Sequence, residues 1–84
     1  MNCLIVDDDE FSRNVIKHFV NKTDGLTVLE ETDNAADAFT LIKTKEIDIV
    51  FLDVEMPEMT GLDLMKTLDD MPQIILVTSR ASYA

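Results

Sequence analysis

The segment IDIVFLDVEMPEMTG, residues 47–61, decides the fold of this chain. Residues 47–52 are almost continuously apolar, which is typical of a strand that is buried on both faces of a parallel sheet. Asp53 follows this run, and a turn from Pro57 to Gly61 leads into the next element. The segment therefore predicts a central parallel strand with a carboxylate at its carboxyl end.

On both sides of this strand, short aliphatic runs alternate with longer stretches of helical period. The predicted strands are residues 2–6, 26–30, 47–52 and 73–78. Strands that alternate with helical segments are typical of β-α-β units. Parallel strands joined by right-handed helical crossovers form a doubly wound α/β sheet, which is the predicted fold class.

Three helices are predicted between these strands, because apolar positions recur there with the helical period. The stripe of the first helix consists of Phe11, Val15, Ile16, Phe19 and Val20, and that of the second of Ala35, Ala38, Phe39, Leu41 and Ile42. We expect the first helix to begin near Asp9 or Glu10, and the second to have Asp33 or Asn34 as its cap. The third helix is predicted at about residues 62–68.

Length and charge exclude several classes of protein. A chain of 84 residues has room for one domain with one core. Seventeen acidic and seven basic residues give a net charge of −10, which repels phosphate backbones and anionic lipids. We therefore expect no direct nucleic-acid binding by this chain. The aliphatic runs are far shorter than the roughly 20 residues of a membrane span, so no membrane insertion is expected.

The amino-terminal sequence and the cysteine count indicate a cytoplasmic location. The acidic residues 7–10 follow the first apolar run at once, and no basic region precedes it, so the amino terminus does not resemble a signal peptide. Cys3 is the only cysteine, so an internal disulfide is impossible and a reducing compartment is expected. Cys3 itself is most simply a small buried hydrophobe.

Polar residues collect at the predicted carboxyl ends of the strands, where ligands bind in doubly wound sheets. Asp7 and Asp8 follow the first strand, Asp53 ends the third and Thr78 ends the fourth. Neighbouring carboxylates repel one another, and a magnesium ion, which prefers oxygen ligands, removes that cost. A carboxylate beside such an ion can attack phosphorus, and the hydroxyl of Thr78 can hydrogen-bond a phosphoryl oxygen.

The order of these motifs closely resembles the receiver domain of two-component response regulators. The motifs are IVDDD at residues 5–9, LDVEMPEMTG at residues 52–61 and LVTS at residues 76–79. The resemblance implies a flavodoxin-like sheet of strand order 2-1-3-4. It also implies that Asp53 is the phosphoacceptor and that Asp7 and Asp8 form the acidic metal site for Mg2+. In this family the backbone carbonyl of Glu55 would be a further metal ligand, and Thr78 the switch hydroxyl.

The same resemblance implies a signalling domain and not an enzyme. A sensor histidine kinase or phosphotransfer protein would pass a phosphoryl group from a phosphohistidine to Asp53. The added charge of about −1.5 to −2 would draw Thr78 inward and switch an output domain that is absent from this chain. The closing segment TSRASYA, residues 78–84, resembles receivers that precede a LytTR-type DNA-binding domain, so the expected output is transcription regulation.

The chain departs from the family pattern at its end. A complete receiver has five β-α units and a lysine at the end of strand five, and the sequence stops before that strand. We therefore expect residues 1–84 to be the larger, amino-terminal part of a receiver domain. Strand four would then be a sheet edge. Because residues 74–77 contain no charge or proline, that edge favours self-association, for example as a dimer.

Two other functions remain open at this point. A haloacid-dehalogenase-like phosphatase would use Asp7 as nucleophile and Asp9 as general acid, but its motif D-x-D-x-[TV] ends here in Phe11. The chain is also too short for that fold. A degenerate receiver would act as a dimerisation module without phosphorylation. The missing lysine favours this alternative, and the intact acidic set argues against it.

Overall fold

The computed structural model describes residues 1–53 and 72–77. Their strands and helices are, in chain order, β1 Asn2–Val6, α1 Glu10–Asn21, β2 Thr27–Thr32, α2 Ala35–Thr44, β3 Ile49–Asp53 and β4 Gln73–Val77. The strands form one parallel sheet of order β2-β1-β3-β4, which confirms the predicted α/β fold. The predicted third helix, residues 62–68, lies outside the described residues. Neither helix in the described ranges is long and apolar enough to span a membrane.

Two strands begin later than the sequence pattern predicts. β2 begins one residue later because the N–H of Leu26 donates to the carbonyl of Thr23 (3.3 Å) inside the preceding turn. β3 begins two residues later because the N–H of Ile47 donates to the carbonyl of Lys45 (3.0 Å). Local hydrogen bonds, which a hydrophobic pattern does not reveal, accompany both boundaries.

The sheet has a core on each face, because successive side chains of a strand point to opposite sides. The core beneath α2 consists of Leu4, Val6, Ala35, Ala38, Val50 and Leu52. The core beneath α1 consists of Cys3, Val20 and Ile49. Cys3 is thus buried as predicted, and this burial raises the pKa of its thiol. The alternation along β1 and β3 places helices on both faces, as in a doubly wound sheet.

The apolar stripe of α1 is covered only in part. Ile16 and Val20 pack toward the sheet. Phe11 and Phe19 are 74% and 66% exposed, and Val15 is exposed as well. The stripe is wider than the line along which the helix touches the sheet. Five residues that share a helical face in the sequence pattern therefore do not share one environment.

Side-chain caps set where both helices begin. Asp9 caps α1, since its Oδ2 accepts hydrogen bonds from the N–H (3.3 Å) and the hydroxyl (2.8 Å) of Ser12. Asn34, and not Asp33, caps α2, since its Oδ1 accepts from the N–H of Asp37 (2.8 Å). Such caps satisfy N–H groups that have no partner within the helix. The cap of α1 places the start of this helix directly after the acidic pair.

Candidate functional site

The register of the two central strands brings the predicted acidic residues together. Val6 of β1 is paired with Leu52 of β3, so the next residues along the chain, Asp7 and Asp53, come to the same edge of the sheet. Carboxylate oxygens of Asp7, Asp8 and Asp53 lie within 4.8 Å of one another. The structure therefore assembles the three predicted carboxylates into one cluster.

Asp7 is tightly held within this cluster. Its N–H donates to the carbonyl of Thr32 on β2 (3.1 Å), and its Oδ1 accepts from the N–H of Asp9 (2.9 Å). The residue is 1% exposed. Its Oδ2 is also buried, and no donor within residues 1–53 and 72–77 hydrogen-bonds to it. A buried carboxylate oxygen without a donor is costly unless a proton or a cation approaches it.

Burial raises the pKa of Asp7 to about 6, because the carboxylate loses hydration. The N–H of Asp9 stabilises the charged form and opposes this shift, whereas the charges of Asp53 and Asp8 add to it. A protonated Asp7 can also donate a hydrogen bond to the carboxylate of Asp53, which raises the pKa further. When Asp7 and Asp53 are both ionised, neither carries a proton, so the Oδ2 of Asp7 accepts no hydrogen bond from Asp53.

The set of ligand atoms fits a hard divalent cation. Asp7 and Asp53 contribute carboxylates that are 1% and 3% exposed, and Asp8 contributes a carboxylate at the solvent boundary. Magnesium takes oxygen ligands, retains several waters and is commonly held by one or two carboxylates together with a phosphate. A cation between these residues would interact with the buried Oδ2 of Asp7, which has no hydrogen-bond donor among the described residues.

Two further predicted site residues, Glu55 and Thr78, lie outside the described residues. Asp53 lies two residues before Glu55, and Val77 directly precedes Thr78. Asp53 is the last residue of β3 and is paired in register with Val77, the last residue of β4. The metal-ligand role of the Glu55 carbonyl and the switch role of Thr78 therefore stay predictions.

Arg13 also reaches the site, although no sequence pattern pointed to it. Its Nη1 donates to the backbone carbonyl of Asp7 (2.7 Å), and its Nε donates to Oε1 of Glu31 on β2 (3.2 Å). Lys17, one turn further along α1, contacts the other oxygen of Glu31 (2.7 Å). Lys17 and then Arg13 hold the pKa of the Glu31 carboxyl below its usual range. The spacing of the two cations was visible in the sequence, but the acid that they share comes from another element.

Taken together, the parallel sheet and the acidic cluster at its carboxyl edge define an α/β module with a candidate ligand site at the strand ends. The family model described as the response regulator receiver domain matches residues 3–84. The chain belongs to this family, the receiver domains of two-component signalling. This finding confirms the resemblance that the motifs indicated.

Curated relatives of the chain are response regulators. The chain is 35% identical over 86 residues to an uncharacterised response regulatory protein of Yersinia pestis. It is 38% identical over 88 residues to the positive alginate biosynthesis regulatory protein of Pseudomonas aeruginosa, and 31% identical over 87 residues to the sensory transduction protein LytR of Staphylococcus haemolyticus. Each comparison covers 100% of this chain but only 36%, 36% and 34% of the relative, respectively. The chain thus spans roughly a third of the length of these relatives.

Solved structures agree with the fold. The MaeR response regulator bound to beryllium trifluoride superposes with a TM-score of 0.82 at 25% identity, over 95% of this chain and 68% of that one. The response regulator domain of Thermotoga maritima CheB gives a TM-score of 0.79 at 26% identity, over 94% of this chain and 60% of that one. Both comparisons support a receiver-type sheet.

Proposed function

We propose that this chain is the phosphoacceptor module of a two-component response regulator, phosphorylated on Asp53 with Mg2+ held by Asp7, Asp8 and Asp53. The observation that carries the proposal is the buried pair of Asp7 and Asp53, in which one oxygen of Asp7 has no donor among the described residues. Burial of a carboxylate without a donor destabilises a fold. The arrangement therefore favours a cation-binding site over a purely structural role.

Asp53 is the carboxylate best suited to act as the nucleophile. Asp7 has one oxygen engaged by the N–H of Asp9, and its other oxygen, which lacks a donor among the described residues, is assigned to the cation. Asp8 is exposed, so water competes for its oxygens. Asp53 ends β3, between β1 with its acidic pair and β4 on the other side. Asp53 therefore lies near the middle of the carboxyl edge of the sheet, next to the acidic pair.

The proposed reaction transfers one phosphoryl group. An oxygen of Asp53 forms a bond to phosphorus while the bond from phosphorus to the histidine nitrogen of the donor breaks, and the leaving nitrogen keeps the electron pair. Mg2+ would supply positive charge that offsets the charge of the phosphoryl oxygens. Asp7 and Asp8 would hold this ion, together with the proposed backbone ligand from Glu55. The beryllium trifluoride bound to MaeR, an analogue of a phosphoryl group, supports this reaction class by analogy.

Phosphorylation is proposed to act as a switch. The phosphoryl group adds a charge of about −1.5 to −2, and the hydroxyl of Thr78 turns toward it and shifts a two-state element. The donor is a sensor histidine kinase or a phosphotransfer protein of the cytoplasm. The receiver of this chain then controls an output domain in transcription regulation. The name of the alginate biosynthesis regulator, 38% identical to this chain, is consistent with that output.

The proposal is tested by intact-protein mass spectrometry after incubation with acetyl phosphate, with magnesium and with a chelator. We expect one phosphoryl adduct on the wild-type chain, formed only with magnesium, and none on Asp53→Asn. Asp24→Asn, which changes an exposed acid in a turn, is the matched control and should give the wild-type result. An adduct of equal yield on Asp53→Asn would show that another residue accepts the group.

A second candidate function, an interaction module that self-associates without phosphorylation, is favoured by the exposure of β4. This strand lies at one end of the described sheet, where Leu76 is 55% and Ile75 is 39% exposed. An apolar edge strand is a template for pairing with another chain. Multi-angle light scattering over a wide concentration range tests the idea. A dimer that persists in Asp53→Asn without magnesium, but not in Leu76→Lys, would support it, and a monomeric mass throughout would exclude it.

The geometry disfavours the third possibility, a phosphatase with Asp9 as general acid. The Oδ2 of Asp9 is engaged by the hydroxyl and the N–H of Ser12, and these hydrogen bonds lower the pKa of its carboxyl. A general acid near neutral pH needs a raised pKa. Asp9 therefore caps α1, close to where the sequence predicted this helix to begin.

A further inference from the structure

Arg13 joins three parts of the molecule. It lies in α1, its Nη1 reaches the carbonyl of Asp7 beyond the end of β1 (2.7 Å), and its Nε reaches Glu31 on β2 (3.2 Å). The side chain is only 17% exposed. Among residues 1–53 and 72–77, no other side-chain donor forms a hydrogen bond to the backbone of the acidic pair. The contact therefore singles out Arg13 among the cations of α1.

The contacted carbonyl belongs to the peptide group that joins Asp7 to Asp8. Because a peptide group is planar, the direction of its C=O bond also sets the direction in which the chain enters Asp8. The N–H of Asp7 is already held by Thr32, and its Oδ1 by the N–H of Asp9. The hydrogen bond from Arg13 fixes the orientation of the peptide group that follows Asp7. Asp8 is exposed, so its carboxylate depends on this backbone for its place beside the buried pair.

We propose that Arg13 is a positioning residue, anchored by Glu31, that holds the peptide between Asp7 and Asp8 in the orientation needed for a divalent cation. The inference deepens the proposed function and rests on the cation site that this function requires. Arg13 contributes no ligand atom. It acts through the backbone, in the way that outer-shell hydrogen bonds orient the ligands of other metal sites.

The direction in which Mg2+ affinity changes when Arg13 is replaced distinguishes a positioning role from a purely electrostatic one. A positive charge near three carboxylates repels Mg2+, so its removal alone should tighten binding. Loss of positioning should weaken binding, because the ligands must then be ordered when the ion arrives. Lys17 offers a matched comparison, since it is also a cation of α1 that contacts Glu31, whereas the carbonyl of Asp7 is contacted by Arg13.

The test is a magnesium titration of the isotope-labelled chain, followed by the amide NMR signals of Asp7, Asp8 and Asp9. We expect Arg13→Gln to raise the dissociation constant for Mg2+ about tenfold, which means weaker binding. Lys17→Gln should leave it unchanged or slightly tighter. Arg13→Lys keeps the charge, but one ammonium group cannot bond both partners in the same geometry, so binding should stay at least roughly threefold weaker than in the wild type.

A second pair of variants keeps the test informative if Arg13→Gln does not fold. Glu31→Gln removes the anchor of Arg13, whereas Glu30→Gln removes an equal charge from the neighbouring residue, which pairs with Lys45. Binding weakened in Glu31→Gln but not in Glu30→Gln supports the inference. Equal or tighter binding in both Arg13→Gln and Glu31→Gln would overturn it. A wild-type chain whose signals do not move with magnesium would overturn the proposed cation site itself, which is a different result.

Discussion

The central strands and the flanking strands of the sheet differ in burial, although all four contain aliphatic residues. All but the first residue of β1 are buried, and so are four of the five residues of β3. β2 and β4 consist mainly of exposed and half-buried residues, and Leu76 of β4 is 55% exposed. The acidic cluster lies at the end of the central pair. The proposed chemistry of this molecule is therefore assigned to the best-packed part of the sheet.

This placement gives the two pairs of strands different tasks. The central strands hold Asp7 and Asp53 where hydration is poor, which destabilises their charges but strengthens their attraction to a cation. The flanking strand β2 supports them from the side. Its Thr32 accepts the N–H of Asp7, and its Glu31 anchors Arg13. Changes in the centre should consequently alter both stability and ligand binding, whereas changes in the flanking strands should have smaller effects on stability.

The largest expected effect concerns packing. Leu52 of β3 and Leu76 of β4 are register partners, but they are 1% and 55% exposed. We expect Leu52→Ala to lower the free energy of unfolding by about 3 kcal/mol, because it leaves a cavity in the core. Leu76→Ala should lower it by less than about 1 kcal/mol. Urea unfolding followed by circular dichroism measures both values, and similar losses at the two positions would contradict the distinction between centre and edge.

The next effect concerns the charge of Asp7 in the absence of metal. Its folded pKa of about 6 lies above the ordinary value of 3.8, so the folded state binds more protons than the unfolded state between these pH values. This residue therefore stabilises the fold below about pH 4, and the contribution is lost as the pH rises through 6. We expect the unfolding free energy of the wild type, relative to Asp7→Asn, to fall by about 2–3 kcal/mol between pH 4 and pH 7.

The comparison with Asp7→Asn is needed because other carboxyls titrate in the opposite sense. The pKa values of Asp9 and Glu31 are lowered, by Ser12 and by the nearby cations, so their stabilisation is lost as the pH falls. Urea unfolding in the presence of a chelator, repeated at each pH, gives the required difference. Asp8→Asn, at the exposed member of the cluster, is the control and should keep most of the wild-type dependence on pH, because Asp7 stays buried in it. If the difference in unfolding free energy between the wild type and Asp7→Asn did not change with pH, burial would not perturb the carboxyl of Asp7.

Magnesium should stabilise the fold by less than the two effects above. A ligand that binds only the folded state stabilises it by about 1.4 kcal/mol at ten times its dissociation constant. Thermal unfolding with magnesium and with a chelator should show this gain in the wild type but not in Asp7→Asn or Asp8→Asn. Asp33→Asn, at an exposed acid outside the cluster, should keep it. An equal gain in all four proteins would indicate a general effect of salt.

The smallest effect is expected at the helix caps. We expect Asp9→Ala and Asn34→Ala each to lower the unfolding free energy by about 1 kcal/mol, because each leaves a helix N–H without its acceptor. Asp9→Ala should cost slightly more, since Asp9 also accepts the hydroxyl of Ser12. The matched variants Asp9→Ser and Asn34→Ser retain a cap and should stay close to the wild type. A loss of stability in Asp9→Ser as large as that in Asp9→Ala would show that capping is not the cause.

The four strands, the first two helices and the acidic cluster could be predicted because their signals are local. The apolar run at residues 47–52 identifies a buried strand, and the spacing of Ile16 and Val20 identifies a helix face. The carboxyl ends of parallel strands meet at one edge, so Asp7, Asp8 and Asp53 were expected together before any distance was known. The structure brings their oxygens within 4.8 Å of one another.

Only the tertiary structure decided which of these residues are buried and what they contact. The exposure of Phe11 and Phe19, the bonds from Arg13 to Asp7 and Glu31, and the Oδ2 of Asp7 without a donor all depend on how distant segments pack. The raised pKa of Asp7 depends on the same packing, because burial is its main cause. The sequence by itself therefore determined the elements and the types of ligand atom. Long-range packing determined their hydration and hydrogen bonding, since both are set by neighbours that a local pattern does not contain.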